Sequence, residues 1–312
     1  MSAARLPRLA ALALAFVAAP VLSADDCADV NPAAIQWLDK MSRSSDQVSY
    51  QGVVTLQRDN EDMQVVQVSH TFDGEAISDR MTQLTGQGAE VTRKHNPLDA
   101  VHPGQKLLRL EGDKCGIAVN YKLTVTEGDR VAGRKSVRIA VAPRDMYRYG
   151  HIMELDRETG LLLKSATIGH GNTVLEKFQF ASLTIEESVA TDAVAAAAMP
   201  AATAARTMPE PTAIADSHGW KVGWLPAGFT STDLAGSPRG RKTFTDGLAV
   251  FSVFIEELER EIRPGEGVVR KGSSTSYTRG VKISGHPVLL TVIGEVPVNT
   301  ARMVADSVAW ER

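Results

Sequence analysis

Residues 155–163 read Leu-Asp-Arg-Glu-Thr-Gly-Leu-Leu-Leu, a polar segment with one glycine between apolar ends. Such a segment joins two antiparallel strands, because glycine supplies the backbone freedom of a tight connection and the apolar flanks need a buried face. The same pattern of short two-period runs broken by polar turns recurs along much of the chain. It predicts strands at 50–57, 63–70, 76–84, 106–110, 117–126, 136–141, 151–155, 161–168 and 174–183. Few of these runs are continuously apolar, so one face of the sheet is buried and the other is wet.

A single helix precedes them. Asn31-Pro32 is a favoured start, with Asn as cap and Pro in the first turn, and Ala34, Ile35, Leu38 and Met41 then share one face through about Ser44. One short helix covers little of so large a sheet. Strong curvature around an apolar hollow is therefore the expected solution.

The chain has 312 residues, enough for about two domains at ~150 residues each. From about Ser188 to Ser217 the composition turns to Ala, Thr, Glu and Pro without apolar periodicity, which reads as a linker. The expected organisation is residues 1–24 as a signal peptide, 25–187 as the first domain, 188–217 as linker and 218–312 as the second domain. The second domain opens on Trp220–Phe229. Strands are predicted at 242–245, 248–256, 267–271, 274–283 and 286–295, with Asp246-Gly247 as a hairpin turn. Asn299 or Thr300 is expected to cap a last helix over 301–308.

Arg5 and Arg8 precede a short apolar run, Leu9–Leu22, and small residues at Ser23 and Ala24, the pattern of a secretory signal. A retained anchor is the alternative, although the run is short for the ~20 residues of a membrane span. Asp25 and Asp26 before Cys27 do not fit a lipidation signal. Cys27 and Cys115 are the two cysteines, an even number in a chain bound for an oxidising compartment. A bond between them would be worth about 4–5 kcal/mol by loop closure; two reduced thiols are the other reading.

A net charge of -3 gives no nucleic-acid footprint. No nucleophile elbow, zinc-protease helix or phosphate loop occurs. His95 and His102 flank Asp99, but Pro97 and Pro103 argue against the helix that would align them. No catalytic residue, metal site or cofactor is expected.

Several runs resemble the RseB/MucB family of periplasmic regulators of the envelope-stress (sigma-E type) sigma factor. They are Trp37–Met41, Tyr50–Gly52, Arg130–Arg134, Pro143–Gly150, Leu155–Leu163 and Leu175–Phe180. Trp224–Phe229, Asp246–Glu256, Gly294–Pro297 and Thr300-Ala301 continue the match, in order, through the second domain. Residues 86–120 depart from it. The resemblance implies an α+β fold, with an N-terminal antiparallel half-barrel like that of periplasmic lipoprotein carriers and a smaller C-terminal mixed α/β domain. It implies a periplasmic negative regulator that binds the periplasmic region of a membrane-spanning anti-sigma factor and protects it from regulatory proteolysis. Lipid or mislocalised lipoprotein entering the half-barrel would release that partner, and homo-oligomers are expected. A lipid or lipoprotein carrier is the alternative.

Candidate contacts follow. Val54, Leu56, Val66, Val68, Ile117, Val119, Leu161 and Leu163 are the strand residues chosen for acyl chains, on the reading that alternate positions face the hollow. Arg144, Tyr147, Arg148 and Tyr149 form the densest polar-aromatic group, suited either to a partner or to local packing. Arg241, Lys242, Arg270 and Arg279 offer a basic surface to an acidic partner segment, against the reading that such charges only solubilise.

Overall fold

The structure, a computed structural model, describes residues 31–59, 61–74, 76–86, 88–95, 116–186, 219–233, 240–259, 265–283 and 285–310. The signal segment, both cysteines, the linker and the strand expected at 106–110 lie outside the described residues.

Helix α1, Pro32–Gln47, starts as its sequence dictates: Asn31 Oδ1 accepts the backbone N–H of Ala33 at 3.1 Å and of Ala34 at 3.3 Å. Nine strands follow: β1 Tyr50–Arg58, β2 Gln64–Phe72, β3 Ile77–Gln83, β4 Glu90–His95, β5 Tyr121–Val131, β6 Arg134–Pro143, β7 Gly150–Asp156, β8 Leu162–Ile168 and β9 Val174–Ile185. They form one antiparallel sheet in the order β4-β3-β2-β1-β9-β8-β7-β6-β5. The last strand therefore returns beside the first.

The β7–β8 connection is the expected turn. Asp156 Oδ1 accepts the backbone N–H of Glu158 and Thr159 at 2.7 and 3.1 Å. Gly160 closes it at φ +85°, a conformation costly for a residue with a Cβ. Lys40 of α1 caps the turn by donating to the carbonyls of Arg157 and Glu158 at 3.1 and 2.8 Å. The helix is thus pinned to the sheet by its polar side as well as its apolar one.

One expectation fails in this half, and one strand is present that the sequence pattern does not announce. The strand expected from Ile117 begins at Tyr121, because Gly116–Val119 is a 3-10 turn. Glu90–His95 is a strand although its charged sequence shows no apolar alternation; pairing with β3 defines it.

The second domain has β10 Trp220–Val222, β11 Thr230–Ser231, β12 Arg241–Thr245, β13 Val250–Glu257, β14 Gly265–Lys271, β15 Ser274–Ile283, β16 His286–Gly294, α2 Val298–Asp306 and β17 Val308–Trp310. A six-stranded sheet has the order β11-β12-β13-β16-β15-β14, and β10 pairs with β17. All pairings are antiparallel, so the mixed α/β arrangement expected here is replaced by an antiparallel sheet with one helix. Helix α2 begins after Pro297, not at Asn299 or Thr300. The Thr300 hydroxyl is used elsewhere, donating to the Tyr147 carbonyl of the first domain at 2.9 Å.

Candidate functional site

Residues directly opposite in antiparallel strands share a face. Met153 is opposite Ser165, Ser165 opposite Phe178, and Phe178 opposite Leu56. One face of the large sheet therefore carries two apolar clusters. The first, under α1, contains Ile35, Leu38, Tyr121, Leu123, Ile139 and Met153. The second contains Val54, Leu163, Phe180 and Val131, with Tyr50, Val66, Val68, Phe178 and Leu183 against it.

Val131 and Ala132 belong to the β5–β6 tip, at the edge of the sheet, yet they join the second cluster. In a flat sheet β5 would stand about 24 Å from β1 at ~4.8 Å per strand. The contact requires the sheet to curl over this apolar face.

The residues chosen for acyl chains separate accordingly. Val54, Val66, Val68 and Leu163 meet in the second cluster, and Leu56 shares the rung of Phe178. Ile117 lies in the helix-covered cluster, and Leu161 is buried at the end of the β7–β8 turn. Val119 stands half exposed on the 3-10 turn and belongs to neither cluster, because the strand predicted there starts two residues later. Phe178, Phe180, Tyr50 and Val131 also belong to this cluster, beyond the residues expected from the sequence. The paired phenylalanines of the 174–183 alternation were the available signal for two of them; the tip contact had none.

The polar-aromatic group has a different environment from the one expected. Arg148 is fully buried at the domain junction. Its Nη1 donates to Asp246 Oδ2 at 2.7 Å and its Nη2 to the Ala227 carbonyl at 2.6 Å, both in the second domain. Its Nε donates to Asp145 at 3.1 Å. The guanidinium also lies 5.3 Å from the ring centres of Tyr121 and of Phe229, one from each domain. Tyr121 donates its hydroxyl to Asp246 at 2.8 Å.

Burial, and then the Asp246 charge, hold the Tyr121 hydroxyl well above the ordinary tyrosine range, so it remains a donor. Burial alone would weaken the Arg148 charge, but Asp145 and Asp246 more than offset it. Burial also lowers the neighbouring His151 to about 4, against the opposing pull of Asp246.

Asp246 is positioned by the hairpin its sequence announces: its Oδ1 accepts the N–H of Leu248 and Ala249 at 3.0 and 2.9 Å. Leu248, on the same turn, packs into the α1 cluster. Tyr149 donates to the Val296 carbonyl at 3.3 Å, and Tyr147 meets Trp224 edge to face at 5.2 Å. Tyr147, Arg148 and Tyr149 therefore contact the second domain, and the buried pair Arg148 and Tyr149 presents no free surface in this arrangement. Arg144 is exposed.

Among the basic candidates of the second domain, Arg241 is exposed and Lys242 lies 4.9 Å over the Trp220 ring. Arg270 pairs with Asp59 of the first domain at 3.0 Å, and Arg279 pairs with Asp306. Arg270 thus serves the junction, together with Lys271, which reaches Glu61 at 3.3 Å. Among the described residues no group of three or more His, Cys, Asp and Glu converges as a metal site.

An apolar face under a curled sheet, locked to a second β-rich domain through a buried ion pair, is the construction of a two-domain binding protein. Comparison with known proteins agrees in extent. A family model described as the MucB/RseB N-terminal domain matches residues 33–200, and one described as the MucB/RseB C-terminal domain matches 215–309. The chain belongs to the MucB/RseB family. It is 32% identical to the sigma factor AlgU regulatory protein MucB of Pseudomonas aeruginosa, over 95% of each chain. It is 24% identical to the sigma-E factor regulatory protein RseB of Haemophilus influenzae, over 97% of this chain and 98% of that one. A crystal structure of MucB in complex with MucA(peri) superposes with a TM-score of 0.66 at 30% identity, covering 89% of this chain and 99% of that one.

Proposed function

We propose that this chain is a periplasmic regulator of a sigma factor, acting by binding the periplasmic region of an anti-sigma factor. The observation that carries this is the full-length likeness, across both domains, to a MucB crystallised with MucA(peri). We read the curled nine-stranded sheet as a half-barrel whose apolar face takes acyl chains of lipid or mislocalised lipoprotein. Bound partner is shielded from regulatory proteolysis, and lipid occupancy releases it.

A ligand shifts a binding equilibrium only if it binds the free and partner-bound states differently. The junction supports such a difference here. The Asp246 turn reaches the α1 cluster through Leu248, strand β5 through Tyr121 and the β6–β7 connection through Arg148, a route by which a change in the curl of the sheet would reach the second domain.

The test uses the mature chain as bait for the periplasmic segment of a single-span anti-sigma factor, with and without lipid. Capture of the segment, protection of it from protease and release by lipid are the expected results. Capture of lipoproteins alone would replace this reading with that of a carrier.

A further inference from the structure

Strands β1, β2 and β3 place Tyr50, His70 and Asp79 side by side on the rung at the start of β1: Tyr50 is opposite His70, and His70 opposite Asp79. They share the face of the second apolar cluster, since Val68 and Val66 follow His70 at alternate positions. His70 is buried, and its Nδ1 lies 2.7 Å from Asp79 Oδ1. An ionised carboxylate only accepts, so the ring proton resides on Nδ1 and Asp79 fixes the orientation of the imidazole. Tyr50 stacks on the ring at 5.2 Å with the planes 16° apart, and it meets Phe180 in a T-shaped contact at 5.7 Å. The other nitrogen, Nε2, is buried with no hydrogen-bond partner among the described residues.

This is an unusual use of a histidine. Leaving a buried polar atom unsatisfied costs about 1–3 kcal/mol, and an apolar residue of similar shape would avoid that cost. A carboxylate that orients one ring nitrogen while the other stays vacant is the arrangement used to hold an imidazole ready for a third group. With its Nδ1–H given to Asp79, the ring can offer a lone pair at Nε2, and the third group it takes there is a hydrogen-bond donor. The surroundings specify the rest of the ligand. From residue 50 to 56 the face runs about 20 Å along β1, past Val68, Val54 and Phe180 to Phe178, with Val131 and Ala132 of the β5–β6 tip over it.

We infer that His70 Nε2, oriented by Asp79, is the polar anchor of this apolar face and accepts a hydrogen bond from a hydroxyl or amide N–H on an acyl-chain ligand. The inference rests on the lipid-sensing reading above and adds the chemistry by which one lipid is preferred over another. The acyl chain lies along the cluster, while the donor satisfies the orphan nitrogen. Lipids of equal length without a donor would leave it unsatisfied and bind more weakly.

Two matched pairs of probes test this with the mature protein. 1-Decanol is compared with its isomer methyl nonyl ether, and N-methyldecanamide with N,N-dimethyldecanamide; each pair differs in the loss of the donor. The expected result is tighter binding of at least one donor by about 3- to 10-fold, the range of one net hydrogen bond. The alcohol and amide arms separate the two donor types. In His70→Phe, which keeps a stacked ring, the preference falls to about unity while the ether still binds. Because a buried substitution can disturb folding, the ¹⁵N resonance of His70 Nε2 in the unaltered protein gives a second reading: it moves with the donor probe and stays with its partner. Equal affinities within both pairs, or a preference that persists in a folded His70→Phe, would overturn the anchor but leave lipid binding intact. Binding of none of the four would overturn the lipid-sensing reading as well.

Discussion

Arg148 and Asp246 lie 98 residues apart and meet at 2.7 Å with both side chains fully buried, one from each domain. A buried pair of this kind is seldom a large net source of stability, but loss of one partner strands the other. Asp246→Asn is expected to lower stability by about 3–5 kcal/mol. Combining it with Arg148→Met should recover much of that loss. Urea denaturation of the two single variants and the double variant measures the coupling; simple additivity of the losses would remove the pair from the junction's energetics.

Gly228 sits beside this pair at φ +84°, against the side chain of Asn120 in the first domain. Gly228→Ala combines an unfavourable backbone conformation with a steric overlap, so a loss of at least about 1 kcal/mol is expected. Asn120→Ala in the same chain should return the steric part and leave the backbone part. Thermal unfolding of the three variants distinguishes the two contributions.

His151 couples the junction to pH. Its folded-state value of about 4 lies below the ordinary 6.5, so the unfolded chain takes up a proton that the folded chain refuses. Stability is unaffected above about pH 6.5 and falls as pH drops from there towards 4, by roughly 2–3 kcal/mol for this group. His151→Gln should flatten that segment of the stability–pH curve. An unchanged slope would assign the acid sensitivity to other groups.

Leu163 and Val119 are alike in sequence pattern and differ in burial. Leu163 is fully buried in the second cluster, and Leu163→Ala should cost about 2–5 kcal/mol and weaken acyl-probe binding. Val119 is half exposed, so Val119→Ser should change stability by no more than about 0.5 kcal/mol and leave probe affinity unaltered. Denaturation and probe titration on both variants give the comparison.

Local chemistry was legible wherever neighbours in sequence are also neighbours in space. Asn31 caps α1, Asp156–Gly160 turns β7 into β8, and Asp246-Gly247 turns β12 into β13, each through side chain, backbone or glycine geometry written within a few residues. The two-period runs likewise announced most of the strands and the burial of one face. Glu90–His95 was not legible, because an edge strand held by its partner needs no apolar alternation of its own.

Sequence alone therefore determined the β-rich class, the principal turns and the helix that opens the described fold, since strand period, caps and turn residues act over short range. It could not decide what Arg148 faces, because an Arg–Tyr cluster suits a partner surface and a domain junction equally well until Asp246 and Ala227 are placed beside it. Nor could it bring Val131 into the cluster of Val54, or set Asp79 against His70 and leave Nε2 without a partner among the described residues. Those relationships depend on strand register and on the curl of the sheet, which only the packing of distant segments establishes.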